Sequence, residues 1–117
     1  IMKTSTPNVL VLGSGFVAQA IGDYFSKYTQ FFATFATIDK ASGQRICEMS
    51  PNRFRLEILN AVDQPEKLAE LCSSHDIVMS LLPPPLHKYV AKVCIKMNKN
   101  MVTSSYISNG KLFYFFE

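Results

Sequence analysis

The chain has no tryptophan in 117 residues and only three cysteines, Cys47, Cys72 and Cys94, far apart and without a C-x-x-C pair. An odd count at such spacing argues against a disulfide framework or a zinc site; the expectation is reduced, mostly buried thiols and no metal. No apolar run approaches the ~20 residues of a membrane helix. The opening "IMKTSTPN" lacks the apolar segment of a secretory leader. A protein of the cytoplasm or mitochondrial matrix, not secreted and with no membrane partner, is expected. Charged residues make up 18% and the net charge is +3, a weak signal for any acidic partner. Lys88, Lys92 and Lys96 form the one basic stripe. It has no interleaved aromatics, so it reads as a solvated helix face and no nucleic-acid partner is expected.

What is present is apolar and ordered. Hydrophobic residues make up 48% of the chain, enough for one domain core. Val9, Leu10, Val11 and Leu12 form a short run without polar alternation, as in a strand buried on both faces. From Phe16 the period becomes helical, with Val17, Ala20, Ile21, Tyr24, Phe25 and Tyr28 as the expected inner stripe. Residues 31–38 read as a second strand, 41–49 as a short helix, and 54–59 as a strand nearer an edge, since Arg55 and Glu57 alternate with apolar residues. "DQPEKLAELC" carries a helix start with Asp63 as cap and Leu68, Leu71 and Cys72 inward. "DIVMSLLP" is another buried strand, halted by three prolines. Leu86, Tyr89, Val90, Val93, Cys94 and Met97 make a clear amphipathic stripe, and Met101 opens a fifth strand. Alternation of this kind predicts an α/β, Rossmann-type doubly wound parallel sheet of about five strands in three layers.

The chemistry concentrates at "GSGFVA", where strand meets helix. It fits G-x-G-x-x-A through Gly13, Gly15 and Ala18. Gly13 permits the tight turn, Gly15 lets a pyrophosphate approach the backbone, and Ala18 lets helix and strand pack closely. The helix N-terminus offers free N–H groups and a partial positive charge. Asp39 stands about 20 residues on, where such motifs place a ribose-binding acid; it could equally cap the helix that follows. A P-loop is excluded, because no Gly-Lys-Ser/Thr follows. Ser80 and Leu82 fall at the end of the fourth strand, where Leu82 suits either a nicotinamide face or ordinary core. His87 could serve an active site but reads more simply as an exposed helix residue, and His75 as a solvated loop residue. Thr103, Ser104, Ser105 and Tyr106 form a hydroxyl cluster suited to ribose, phosphate or a carboxylate.

"VLVLGSGFVA" followed by "DIVMSLLPPPLHKYVAKVCIKMNKNMVTSSYIS" resembles the N-terminal dinucleotide domain of glutamate-forming saccharopine dehydrogenase, which also occurs fused behind a lysine-ketoglutarate reductase domain. The resemblance runs from Asn8 to Ser108. It implies residues 1–7 as a polar lead, 8–108 as the dinucleotide domain and 109–117 as a divergent tail, with the substrate domain absent. It also implies a reaction: saccharopine is oxidised at the carbon bearing its secondary amine, and hydrolysis yields glutamate and 2-aminoadipate 6-semialdehyde. By the same resemblance the backbone of Ser14, Gly15, Phe16 and Val17 cradles the pyrophosphate. Thr37, Ile38 and Asp39 meet the adenine ribose, Asn60 and Ala61 lie near the adenine, Leu82, Ser104 and Ser105 line the nicotinamide side, and Ser105 and Tyr106 touch saccharopine.

Three departures stand out. Ile38 replaces an Arg or Asp frequent in relatives, Asn60 replaces an Asp, and Pro84 replaces a Tyr. Without the Arg, the carboxylate of Asp39 favours NAD as cofactor, with NADP the alternative. No catalytic residue is assigned within the chain. The expectation is a cofactor-binding piece of an oxidoreductase, inactive alone; a stand-alone nucleotide-binding regulatory module is the other reading. The aromatic tail, left exposed, would favour a homodimer.

Overall fold

A computed structural model describes residues 6–104 and 113–116, with the backbone alone for Ser104 and for 113–116. The elements run β1 (Asn8–Leu12), α1 (Phe16–Tyr28), β2 (Phe32–Thr37), α2 (Lys40–Cys47), β3 (Phe54–Ile58), α3 (Pro65–Ser73), β4 (Ile77–Ser80), a 3-10 turn (Pro84–Leu86), α4 (His87–Met97), β5 (Asn100–Ser104) and β6 (Phe113–Phe116). The sheet order is β3-β2-β1-β4-β5-β6. The first five strands are parallel; β6, which the sequence pattern does not foretell, pairs antiparallel with β5.

The unalternated apolar run of β1 is explained by its central place, with helices over both faces of the sheet. Leu10 and Leu12 join a core under α3 and α4 with Leu68, Cys72, Val78, Val90 and Cys94. Val9 and Val11 join a second core under α1 and α2 with Ala18, Phe25, Phe35 and Ile46. Each helix lies across its sheet face by burying one stripe. In α1 that stripe is Ala18, Gly22 and Phe25. Val17, Ala20, Tyr24 and Tyr28, expected inside, are exposed, and the two tyrosine rings pack on each other with centroids 5.1 Å apart. A wide amphipathic stripe blurs the helix's rotation, and Gly22 settles it, since a Cβ there would come within 2.7 Å of the Ile46 side chain.

Two further expectations are corrected. Asp63 does not cap α3. The cap position is Gln64, and the Asp63 carboxylate accepts from Asn60 Nδ2 at 3.1 Å. His75 is no solvated loop residue; it is 3% exposed. Its Nδ1 lies 2.6 Å from the Leu71 carbonyl and its Nε2 2.7 Å from Thr34 Oγ1. A carbonyl only accepts, so Nδ1 carries the proton and Nε2 accepts from the threonine. Burial pushes the ring's pKa down. The C-terminal end of α1 is closed by Arg53, whose guanidinium donates to the carbonyls of Phe25, Ser26, Thr29 and Phe31. Among the described residues no helix is long and apolar enough to cross a membrane.

Candidate dinucleotide site

Five parallel strands end on one edge of the sheet, and the chain crosses to opposite faces after β1 and β4, which are neighbours. That divergence opens a crevice, the usual ligand position in such sheets. Gly13 to Ala18 span the turn after β1 and the start of α1, Thr37 to Asp39 the end of β2 and the turn after it, and Asn60 with Ala61 and Leu82 follow β3 and β4, so the topology gathers these expected residues at one edge.

The glycine turn has distinct parts. Gly13 sits at φ +111° and donates to the Ala36 carbonyl at 2.9 Å. A Cβ on it would lie 3.1 Å from the Leu81 carbonyl oxygen. Gly15 is the N-cap of α1, with no side-chain cap and no acidic residue in the first turn. A Cβ there would meet nothing within 4 Å. The helix thus presents bare amides to open space, the arrangement that receives a phosphate. Phe16 is 90% exposed and Val17 half so, while Ala18 is buried against the sheet. The Ser14 side chain turns inward to Thr37 and Ser42, which leaves only its backbone to the outside.

Beside the turn lies a cleft of about 290 Å³. It is lined by Thr37, Ile38, Asn60, Ala61 and Leu82, all expected, and by Leu59, Val62, Asp63 and Leu86, which were not. Asn60 shapes its floor as an Asx turn. Its Oδ1 accepts from the amides of Val62 and Asp63 at 3.1 and 3.0 Å, while Gln64 Oε1 accepts from the Asn60 amide at 2.8 Å. The leucines and Ala61 give the cleft apolar walls suited to a flat base.

Asp39 caps α2, accepting from the Ser42 amide at 3.2 Å. That bond leads the causes that hold its carboxyl below the usual range, followed by the Ser42 hydroxyl. Of the two roles open to Asp39 in the sequence, the cap is therefore filled. His87 corrects its expectation too: it is half-buried, with Nδ1 2.9 Å from the buried Ser80 Oγ. Its Nε2 is enclosed without a partner, and burial lowers its pKa. The Ser104 backbone ends β5 at the same edge. Ser105 and Tyr106 lie outside the described residues.

A larger cavity, about 510 Å³, opens at the opposite edge between Asn8, Thr34, Arg53 and His75. Two of the groups that could grip a ligand there are engaged: Arg53 with α1 and His75 with Thr34 and Leu71. The smaller cleft, beside free helix amides, is the better candidate. Among the described residues no cluster of His, Cys, Asp or Glu could hold a metal ion.

Residues 9–116 match the family described as the saccharopine dehydrogenase NADP binding domain. The chain belongs to this family. The domain is 37% identical over 102 residues to mitochondrial alpha-aminoadipic semialdehyde synthase of Rattus norvegicus, covering 86% of this chain and 11% of that protein. It is 36% identical over 101 residues to the NADP(+), L-glutamate-forming saccharopine dehydrogenase of Saccharomyces cerevisiae, covering 86% of this chain and 22% of the relative. The apo structure of the L-Glu-forming yeast enzyme superposes with a TM-score of 0.75 at 35% identity, over 87% of this chain and 22% of that one. The chain thus spans about a tenth to a fifth of the length of these relatives. The Rossmann-type sheet and the family resemblance read from the sequence both hold. The lean toward NAD does not match the family's description, which names NADP.

Proposed function

We propose that this chain binds the dinucleotide for an enzyme that oxidises saccharopine to glutamate and 2-aminoadipate 6-semialdehyde. The observation that carries the reading is the pairing, at one sheet edge, of uncapped α1 amides over open space at Gly15 with the apolar cleft beside Thr37 and Leu82. The main chain of residues 14–17 receives the pyrophosphate. The cleft beside Ile38, Asn60 and Ala61 takes the adenine. The ends of β4 and β5 lie on the nicotinamide side, with Ser105 and Tyr106 reserved for the substrate. The bound dinucleotide supplies the hydride acceptor; this chain's own residues bind it, orient it and keep one face of its site dry. Positioning of that kind contributes much of the rate in such reactions.

NADP is our assignment, against the sequence expectation. The family's description and the names of the fungal relatives support it. Lys40, next to Asp39 in sequence, adds a positive charge where β2 meets α2. The domain alone turns over no saccharopine. Fluorescence titration with NADPH and NADH tests both parts. Tighter NADPH binding, abolished by Gly15→Val, is expected, together with no cofactor reduction when saccharopine is added. Failure to bind either nucleotide overturns the site, and tighter NADH binding overturns the cofactor assignment.

A further inference from the structure

Three buried hydroxyls meet where the glycine turn, β2 and α2 join. Ser14, Thr37 and Ser42 are 8%, 6% and 6% exposed. Ser14 Oγ lies 2.8 Å from Thr37 Oγ1 and 2.5 Å from Ser42 Oγ. The Ser42 hydroxyl donates to the Asp39 carbonyl at 3.2 Å, and the Asp39 amide donates to Thr37 Oγ1 at 3.0 Å. These contacts close a ring.

Its direction follows from counting protons. A hydroxyl has one to give. Ser42 gives its proton to Asp39, so the Ser14–Ser42 bond must use the proton of Ser14. The Ser14–Thr37 bond must then use the proton of Thr37, which in turn accepts from the Asp39 amide. Every donor in the ring is spent. None of the three hydroxyls has a proton left for a phosphate, and phosphate recognition falls to the main chain. Gly43 permits the closeness: a Cβ there would come within 2.9 Å of Thr37 Cγ2 and 2.5 Å of the Leu56 side chain.

We propose that Ser42, buried beneath the site, is a positioning residue that joins the phosphate-binding turn to the end of β2 through this ring, so that both halves of the adenosine diphosphate subsite are set before the nucleotide arrives. The proposal rests on the dinucleotide reading of the site. Buried polar rings of this kind act as units, because opening one bond leaves the others without their polarising neighbours.

The test is a set of ring variants: Ser42→Ala, Ser14→Ala, the pair together, Thr37→Val, which keeps shape and strand propensity, and Ser42→Thr, which keeps the hydroxyl. NADPH affinity and melting temperature are measured for each. Ser42→Ala, Ser14→Ala and Thr37→Val are expected to weaken NADPH about tenfold. The double variant should weaken it no further, and Ser42→Thr should restore binding. Amide hydrogen exchange at Gly13, read without nucleotide, should accelerate in Ser42→Ala. Several outcomes overturn the proposal: multiplicative losses in the double variant, a Ser42→Ala chain that melts earlier yet binds as the parent does, or unchanged exchange at Gly13. If the parent binds no nucleotide, the site reading fails on its own account and the exchange measurement still decides the ring.

Discussion

Gly13 and Leu81 face each other across the base of the crevice, with only 3.1 Å between the Leu81 carbonyl oxygen and the place a Gly13 side chain would begin. Gly15, two residues on, faces nothing within 4 Å. The two glycines of one motif therefore answer to different demands. Gly13→Ala, at φ +111°, should destabilise the fold by about 2 kcal/mol, seen as a lower urea midpoint. Gly15→Val should leave that midpoint near the parent's and remove NADPH binding. Equal loss of stability in both variants would contradict this division.

Arg53 holds four carbonyls at the end of α1. Charged donors at a helix C-terminus offset both its unpaired carbonyls and its negative pole. Arg53→Met should cost about 2 kcal/mol in urea unfolding, while NADPH affinity stays close to that of the parent, because α1 keeps its amino end. Arg53→Lys should recover only part of the loss, since an ammonium cannot fork between several carbonyls.

His75 predicts a pH dependence. Burial lowers its pKa in the folded chain, so protonation favours the unfolded chain. Stability is complete above the unfolded value of about 6.5 and falls as pH drops from there through the lowered folded value. His87, lowered in the same direction, adds to the slope. Urea unfolding at pH 7.5 and 5.5 should show the loss. His75→Gln should be less stable at the higher pH but lose less on acidification.

The cysteines should differ in reactivity. Cys72 and Cys94 are fully buried, and the Cys72 thiol, donating to Cys94, is pushed up in pKa while Cys94 is pushed down. Cys47 is half-buried, and burial raises it. Iodoacetamide on the native chain should label Cys47 first and slowly, with the other two reached only after urea. Early labelling of Cys94 by mass mapping would show the α3–α4 seam to be open.

The parts of the fold written in local pattern were legible. The glycine turn could be read because each small residue answers a steric demand within a few positions. The parallel order followed from alternating periods, and Leu68, Leu71 and Cys72 lay inward as spaced. What depended on distant chain was not readable. His75 is buried by a partner, Thr34, 41 residues away, and nothing around "SSHD" signals it. Asp39 had two roles open, because a carboxylate after β2 suits either a ribose or a helix start. The cap that Asp39 gives Ser42 is legible in "DKAS", but the hydroxyl contact from Ser42 to Ser14, 28 residues away in sequence, is not. β6 escaped because its antiparallel pairing needs only a return loop, not the crossover that periodicity reveals.

The alternation along β1 makes the sheet a bulkhead between two compartments. Ala18, behind the phosphate end, leans on the compartment of Val9 and Val11. Leu59 and Ala61, behind the adenine end, lean on that of Leu10 and Leu12. Loosening one compartment should disturb its own half of the site first and reach the other through the hydroxyls that tie Ser14 to Thr37 and Ser42.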